Sequence, residues 1–184
     1  MNQDIWIEYY LEALRKGNLD ELFKLAEANI MKKSIVVYDL DGVLLEREPN
    51  SYDKSVFVSK VNHSQLAGFK QLKQDLRFDV CILTARKISQ AMEINYMFDC
   101  QVFSRDFFLD KKLVSRLKTE PELKQEFDDK VTEFKFGILK ILSRSYKLVV
   151  FVDDHIDRYK SQSCRKNIVL CSIHEFDEWR LSIA

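Results

Sequence analysis

The stretch IVVYDLDGVLL, residues 35 to 45, places two carboxylates and a glycine directly after an apolar run. Strand interiors are poor in Asp and Gly, so packing alone does not explain Asp39, Asp41 and Gly42. A carboxylate at a strand end can attack phosphorus as a nucleophile. A second carboxylate nearby can protonate the leaving oxygen and then activate water. Because two carboxylates in different environments can divide these roles, we interpret Asp39 as the nucleophile and Asp41 as the general acid and base.

Two further apolar runs also end in polar side chains. FDVCILT, residues 78 to 84, ends in Thr84, and KLVVFVDD, residues 147 to 154, ends in Asp153 and Asp154. In open α/β sheets, sites form where the carboxyl ends of the strands meet. Acidic groups this close cannot all stay ionised without a cation, so the pattern predicts a hard divalent metal, and Mg²⁺ suits carboxylate and water ligands best. Thr84 would donate to a phosphate oxygen beside it.

A lysine opposite the metal would complete such a site. The segment TEFKFGILKIL, residues 132 to 142, contains two candidates, Lys135 and Lys140. At about 100° per residue, Lys140 lies nearly opposite the apolar face of this helix and Lys135 lies at its flank. If Thr132 caps the helix, Lys135 occupies the first turn, where a cation opposes the helix dipole unless an anion is bound nearby. We therefore choose Lys135 over Lys140.

The elements that must position these residues alternate between β and α patterns. Continuous apolar runs suit strands buried on both faces, as in a parallel sheet covered by helices. The weaker runs CQVF and NIVLCSI add candidate strands, and amphipathic segments separate the runs. The alternation predicts an α/β fold, a doubly wound parallel sheet flanked by helices, over residues 33 to 184. A small helical insertion is expected at about 104 to 132, and a helical hairpin, broken at Gly17, at 1 to 32.

Composition narrows the class of protein. The 184 residues include 29 Lys and Arg against 29 Asp and Glu, and 46% of them are hydrophobic. This balance is typical of a globular protein and argues against a broad nucleic-acid-binding surface, although a local patch could remain. The sequence has no long apolar span, its first residues are acidic, and its four cysteines lack paired spacing. We expect a cytoplasmic protein with no membrane partner.

In chain order, YDLDGVLL, VCILTAR, FK and VVFVDD resemble the four motifs of the haloacid dehalogenase (HAD) superfamily. The resemblance covers residues 34 to 157. It implies a Rossmann-like fold, Mg²⁺ and a phosphatase that forms an aspartyl-phosphate. It also implies that Asp39 is the nucleophile, that Asp41 is the acid and base, and that Thr84 and Lys135 hold the phosphate. The implied metal ligands are Asp39, the carbonyl of Asp41, and Asp153 or Asp154.

A narrower similarity is to the HAD domains grouped with RNA-repair proteins, which carry a T-x-x-F-K element before an aspartate pair. TEFK, residues 132 to 135, matches that element. Those domains commonly have Arg after the pair, where this chain has His155, a candidate for substrate contact. Arg86 follows the second motif, and we interpret it as a helix-surface residue in preference to the alternative, a substrate clamp.

The cover over the site decides which substrates can enter. About forty residues separate Asp41 from Thr84, and the stretch EREPNSYDKSVFVSKVN among them reads as an uncovered loop, too short for a helical cap domain. An open site favours a phosphate on a larger molecule, such as a nucleic-acid end. The alternatives are a phosphatase for nucleotides or other small metabolites, and a catalytically inactive HAD-like binding module.

Overall fold

The protein is described by a computed structural model that covers residues 33–49, 57–105, 120–159, 161–162 and 165–183. The predicted N-terminal hairpin, residues 1 to 32, lies outside the described residues. So do residues 106–119 of the predicted insertion.

A five-stranded parallel sheet forms the centre of the fold. Its central strands are the apolar runs of the sequence, and the weaker runs form the edges. This is the predicted parallel α/β sheet, and its strands are β1 Ser34–Tyr38, β4 Phe78–Thr84, β5 Gln101–Ser104, β6 Leu148–Val152 and β7 Ile168–Cys171. Their order across the sheet is β5-β4-β1-β6-β7, and two further strands, β2 Leu45–Pro49 and β3 Phe57–Val61, form a separate hairpin.

Helices cover both faces of the sheet, as the two-sided burial of the central strands requires. Alternate residues of β1 point to opposite faces, so Val36 and Tyr38 enter one core and Ile35 and Val37 the other. The first core is closed by three helices, α1 His63–Gln74, α2 Ile88–Phe98 and α4 Ile173–Ile183, and the second by α3 Lys124–Ser145. No described helix is both long and apolar enough to cross a membrane.

The register of the central strands brings their ends together. Tyr38, the last residue of β1, pairs with Val152, the last residue of β6. The next residues, Asp39 and Asp153, therefore lie side by side at the carboxyl edge of the sheet. The Asp39 amide continues the ladder by donating to the Val152 carbonyl over 2.8 Å.

The prediction of an uncovered loop after Asp41 is wrong, because the segment has regular secondary structure. The segment forms an antiparallel hairpin of β2, Leu45–Pro49, and β3, Phe57–Val61. The alternating stretch SVFVSKV carries the β pattern that signals β3, and the loop interpretation overlooked it. Between β1 and α1, the described residues form this hairpin and no helical cap.

The start of α3 also differs from the expectation. The helix begins at Lys124, so residues 124 to 132 of the predicted insertion are its first turns, and Thr132 is not its cap. Instead the Thr132 hydroxyl donates to the Asp128 carbonyl one turn earlier, at 2.9 Å, as threonines inside helices do. Lys135 consequently lies about three turns into the helix, and the dipole argument for it does not apply.

Candidate active site

A buried ion-pair cluster lies at the carboxyl ends of β1 and β6. The Lys135 ammonium is 2.6 Å from Asp39 Oδ2 and 2.9 Å from Asp153 Oδ2. Lys135 is 4% exposed, Asp39 7% and Asp153 1%, so three ionisable groups share one nearly dry volume. Lys140, the rejected candidate, is exposed and lies over the Phe136 ring at 4.7 Å.

The two carboxylates of this cluster respond differently to burial. Burial raises the pKa of Asp39 to about 7, and Lys135 offsets only part of that rise. Burial acts on Asp153 in the same direction, but Lys135, the His155 amide and the Tyr159 hydroxyl all donate to it and hold its pKa below the usual value. The negative charge of Asp153 is therefore well stabilised by its partners, whereas that of Asp39 is only partly stabilised.

Three carboxylates come close enough to hold one metal ion. Oxygens of Asp39, Asp153 and Asp154 all lie within 4.8 Å of one another. Burial also raises the pKa of Asp154, and its side chain is 30% exposed. Hard oxygen donors with more negative charge than Lys135 balances form a set that suits Mg²⁺.

Gly42 leaves the space that Asp154 occupies. Its φ is +87°, a conformation that side chains rarely adopt. A Cβ built on Gly42 would lie 2.2 Å from Asp154 Oδ2, well inside contact distance. The glycine of the DLDG stretch thus both turns the chain after Asp41 and admits the last carboxylate of the site.

Asp41 faces Arg86, a residue that the sequence analysis assigned to a helix surface. Arg86 lies before α2 begins, and its guanidinium holds both carboxylate oxygens of Asp41, with Nε–Oδ2 at 2.9 Å and Nη2–Oδ1 at 2.5 Å. That interpretation is therefore wrong. The one available signal was position: Arg86 is the first cation after β4 reaches the edge at which Asp39 lies.

Thr84 ends β4 and is fully buried. Its hydroxyl oxygen accepts a hydrogen bond from the Arg86 amide at 3.2 Å. The hydroxyl proton can then be donated to a ligand oxygen. Thr84 thus lies at the end of the strand that pairs with β1, and its role as a donor to substrate stays a prediction.

His155 and Tyr159, which follow the pair Asp153 and Asp154 in the chain, complete the surroundings of the candidate site. Tyr159 was missed by sequence reasoning; it is buried, donates to Asp153 Oδ2 at 3.2 Å and packs edge-on against Phe151 at 5.4 Å between centroids. No sequence signal marks it, because one tyrosine in a polar segment has no diagnostic spacing. His155 is largely exposed, with Nε2 3.6 Å from Asp154 Oδ2.

The sequence matches no protein-family model and no curated protein at a significant level. Among solved structures it is similar to 3-deoxy-D-manno-octulosonate 8-phosphate phosphatase from Moraxella catarrhalis, a complex with magnesium ion, phosphate ion and KDO. That similarity has 14% identity, covers 89% of this chain and 91% of that one, and has a TM-score of 0.39. A "probable yrbi family phosphatase" from Pseudomonas syringae pv. phaseolica 1448a gives 17% identity, 89% and 90% coverage, and a TM-score of 0.41.

Proposed function

We propose that this protein is a Mg²⁺-dependent phosphomonoester hydrolase of the HAD type that works through a phosphorylated Asp39. The observation that carries the proposal is the arrangement of Asp39. It lies at a strand end, it is buried, and its oxygen is 2.6 Å from a lysine that Asp153 also holds. A desolvated carboxylate beside a fixed cation is arranged to attack an electrophile that brings its own negative charge.

In the first step Asp39 attacks phosphorus, and the bond from phosphorus to the leaving oxygen breaks. Asp41, two residues beyond Asp39, gives that oxygen its proton. In the second step Asp41 takes a proton from water as the water attacks phosphorus, and the bond from Asp39 to phosphorus breaks. Lys135 and Thr84 donate to the phosphoryl oxygens throughout, so they stabilise the charge that develops on them.

The metal ligands we propose are side chains of Asp39, Asp153 and Asp154, with the backbone carbonyl of Asp41. The fit rests on three carboxylates whose oxygens lie within 4.8 Å of one another. Asp154 is the more available of the aspartate pair, because both oxygens of Asp153 already accept hydrogen bonds. Mg²⁺ bound there would supply positive charge that the phosphoryl oxygens need during transfer.

For the substrate we propose a phosphate on a macromolecule, specifically a nucleic-acid end. The described chain over the site is a two-stranded hairpin instead of a helical cap. Arg86 adds a half-buried cation at the mouth, next to Asp41. A polymer end can enter such a site with its chain lying outside, and a small metabolite gains little enclosure there.

Hydrolysis of 4-nitrophenyl phosphate by the purified protein tests the reaction class. We expect turnover with Mg²⁺ that chelation abolishes and that Asp39→Asn removes while the protein stays folded. No turnover above background by folded protein in Mg²⁺, Mn²⁺ or Co²⁺ would favour an inactive binding module.

The substrate class needs a separate panel of 3′- and 5′-phosphorylated oligonucleotides, mononucleotides and phosphopeptides. We expect the highest kcat/KM for an oligonucleotide end. A clear preference for a free mononucleotide would reject the open-site argument and leave the reaction class unaffected.

A further inference from the structure

Arg86 contacts three parts of the candidate site, namely Asp41, the end of β4 at Thr84, and the hairpin at Ser59. Its guanidinium holds Asp41 and also donates to the Ser59 hydroxyl of β3 at 3.1 Å. Its backbone amide is fixed by Thr84 at 3.2 Å. The backbone is therefore held at the edge of the sheet, while the guanidinium lies between Asp41, the proposed proton carrier, and Ser59 of the hairpin.

While Arg86 holds the Asp41 carboxylate, Asp41 is not positioned to act as the proposed general acid and base. Both carboxylate oxygens are engaged by the guanidinium fork, so neither is directed at a leaving oxygen. The pair is also accessible, since the side chain of Arg86 is 24% exposed and that of Asp41 39%. Ion pairs with this much solvent contact are worth about 1 kcal/mol or less, so a competing anion can displace one partner.

The position of Arg86 indicates which anion would compete. The scissile phosphate is expected deeper, where Lys135 and Thr84 are buried and Asp39 attacks. Arg86 contacts both Asp41, which would face the leaving oxygen, and Ser59 of the hairpin. A group that meets Arg86 is therefore attached beyond the leaving oxygen, which in a nucleic-acid end is the next phosphodiester. Guanidinium forks bind phosphate oxygens in the same two-bond geometry as carboxylates.

Building on the proposed phosphatase function, we propose that Arg86 is a specificity-determining residue. When a substrate carries a phosphodiester beside its scissile phosphomonoester, the guanidinium moves from Asp41 to that phosphodiester. The exchange binds the second anionic group and frees Asp41 to face the leaving oxygen. Substrates that lack the second anion leave Arg86 on Asp41 and react more slowly.

A pair of dinucleotides tests this directly. Both carry one terminal phosphate, at the end preferred in the panel above, and they differ only in the internal linkage, a phosphodiester in one and a neutral methylphosphonate in the other. For the wild type we expect kcat/KM to be roughly tenfold to a hundredfold higher on the phosphodiester, the range of a hydrogen bond to a charged group. Arg86→Gln should lose that preference, and Arg86→Lys should restore part of it.

The matched control is Lys87→Gln, which removes the same charge from the neighbouring exposed lysine and should keep the wild-type ratio. A purely structural role for Arg86 would slow both dinucleotides equally in Arg86→Gln and leave their ratio unchanged. That result, or equal rates for the wild type, would overturn the inference. Should Arg86→Gln fail to fold, Arg86→Lys is decisive, because loss of the fork should reduce the ratio.

The wild type's Mg²⁺-dependent hydrolysis of 4-nitrophenyl phosphate distinguishes a failure of the role of Arg86 from a failure of the proposed phosphatase activity. Turnover of this ester with no linkage preference rejects only the role of Arg86. Absence of turnover by folded protein rejects the phosphatase, and the role of Arg86 with it.

Discussion

At the scale of single residues, Lys135 is the group on which the proposed chemistry and the stability of the site both depend. It contacts Asp39 at 2.6 Å and Asp153 at 2.9 Å in a nearly dry environment. Its removal leaves two buried carboxylates without their shared partner, a change that typically costs about 3–5 kcal/mol. It also removes a donor to the phosphoryl oxygens, worth roughly a hundredfold to a thousandfold in kcat.

We therefore expect Lys135→Ala to lower both kcat for 4-nitrophenyl phosphate and the urea midpoint of unfolding. Lys140→Ala is the control, because Lys140 lies on the same helix but is exposed. It should change stability by no more than about 0.5 kcal/mol and leave kcat near the wild-type value. If Lys140→Ala is instead the damaging change, the wrong lysine has been placed in the site.

The raised pKa of Asp39 makes stability depend on pH when no metal is bound. Between the unfolded pKa of 3.8 and the folded pKa of about 7, the folded protein binds more protons than the unfolded chain. The free energy of unfolding therefore falls as pH rises through this window, at up to about 1.4 kcal/mol per pH unit for one group. The lowered pKa of Asp153 acts elsewhere, since its contribution is lost only at more acidic pH.

Asp39→Asn should flatten that fall and should be more stable than the wild type at pH 8 in chelator. Urea unfolding of both proteins at pH 5, 6.5 and 8 in EDTA measures the effect. Equal slopes for the two proteins would show that Asp39 is not the under-compensated charge.

Much of the site at this scale could be predicted from the sequence, because Asp39, Thr84 and Asp153 each end a recognisable apolar run. The contacts of Arg86 and Tyr159 could not, although the position of Arg86 directly after β4 places it near this edge. Their contacts depend on how the loops after β4 and β6 fold back toward the strand ends, and no spacing in the sequence encodes that path.

At the scale of elements, the turn after β1 has to let Asp41 and Asp154 approach without a clash. Gly42→Ala should place a methyl group about where Asp154 Oδ2 now lies, since the built Cβ is 2.2 Å from it. The positive φ adds about 1 kcal/mol of strain for a residue with a side chain. We expect a lower Tm and weaker Mg²⁺ binding by isothermal titration.

The matched control is Gly137→Ala in the middle of α3, where a Cβ meets no atom within 4 Å. Neither a close contact nor the backbone conformation requires glycine at this helical position. Alanine there should therefore stabilise the protein by about 0.5–1 kcal/mol. The two substitutions are chemically identical, so opposite signs would confirm that Gly42 is required by its surroundings. A neutral Gly42→Ala would mean that Asp154 does not need this space.

The helix carrying Lys135 shows where element-level prediction succeeds and where it fails. The apolar spacing predicts Lys135 at the flank of the apolar face, and in the structure its ammonium is buried against Asp39 and Asp153. The helix start was placed at Thr132 because a threonine before an apolar run resembles a cap. The preceding turns are mostly charged, but Phe127 and Val131 continue the apolar stripe of Phe134 and Ile138 at helical spacing. That pattern extends the helix toward Lys124, and the cap interpretation overlooked it.

At the scale of the whole molecule, the sheet order brings together the strand ends that form the candidate site. β1 lies between β4 and β6, so residues distant in sequence, Asp39, Thr84 and Asp153, share one edge. The alternation of apolar runs and helical segments predicts this architecture, because two-sided burial leaves few other solutions. The hairpin after β1 escaped prediction because β2 is short and mostly charged, and because the alternating pattern of β3 was overlooked.

The central claim is that Asp39 becomes phosphorylated and that Asp41 is needed to release the phosphate. 4-Nitrophenolate leaves without a proton, so Asp41→Asn should still form the aspartyl-phosphate quickly but hydrolyse it slowly. Rapid mixing of Asp41→Asn with 4-nitrophenyl phosphate and Mg²⁺ is the most direct test. The account predicts a burst of nearly one nitrophenolate per protein, and acid-quenched peptides that carry one phosphoryl group on Asp39. No burst, or a phosphoryl group on any other residue, would contradict it.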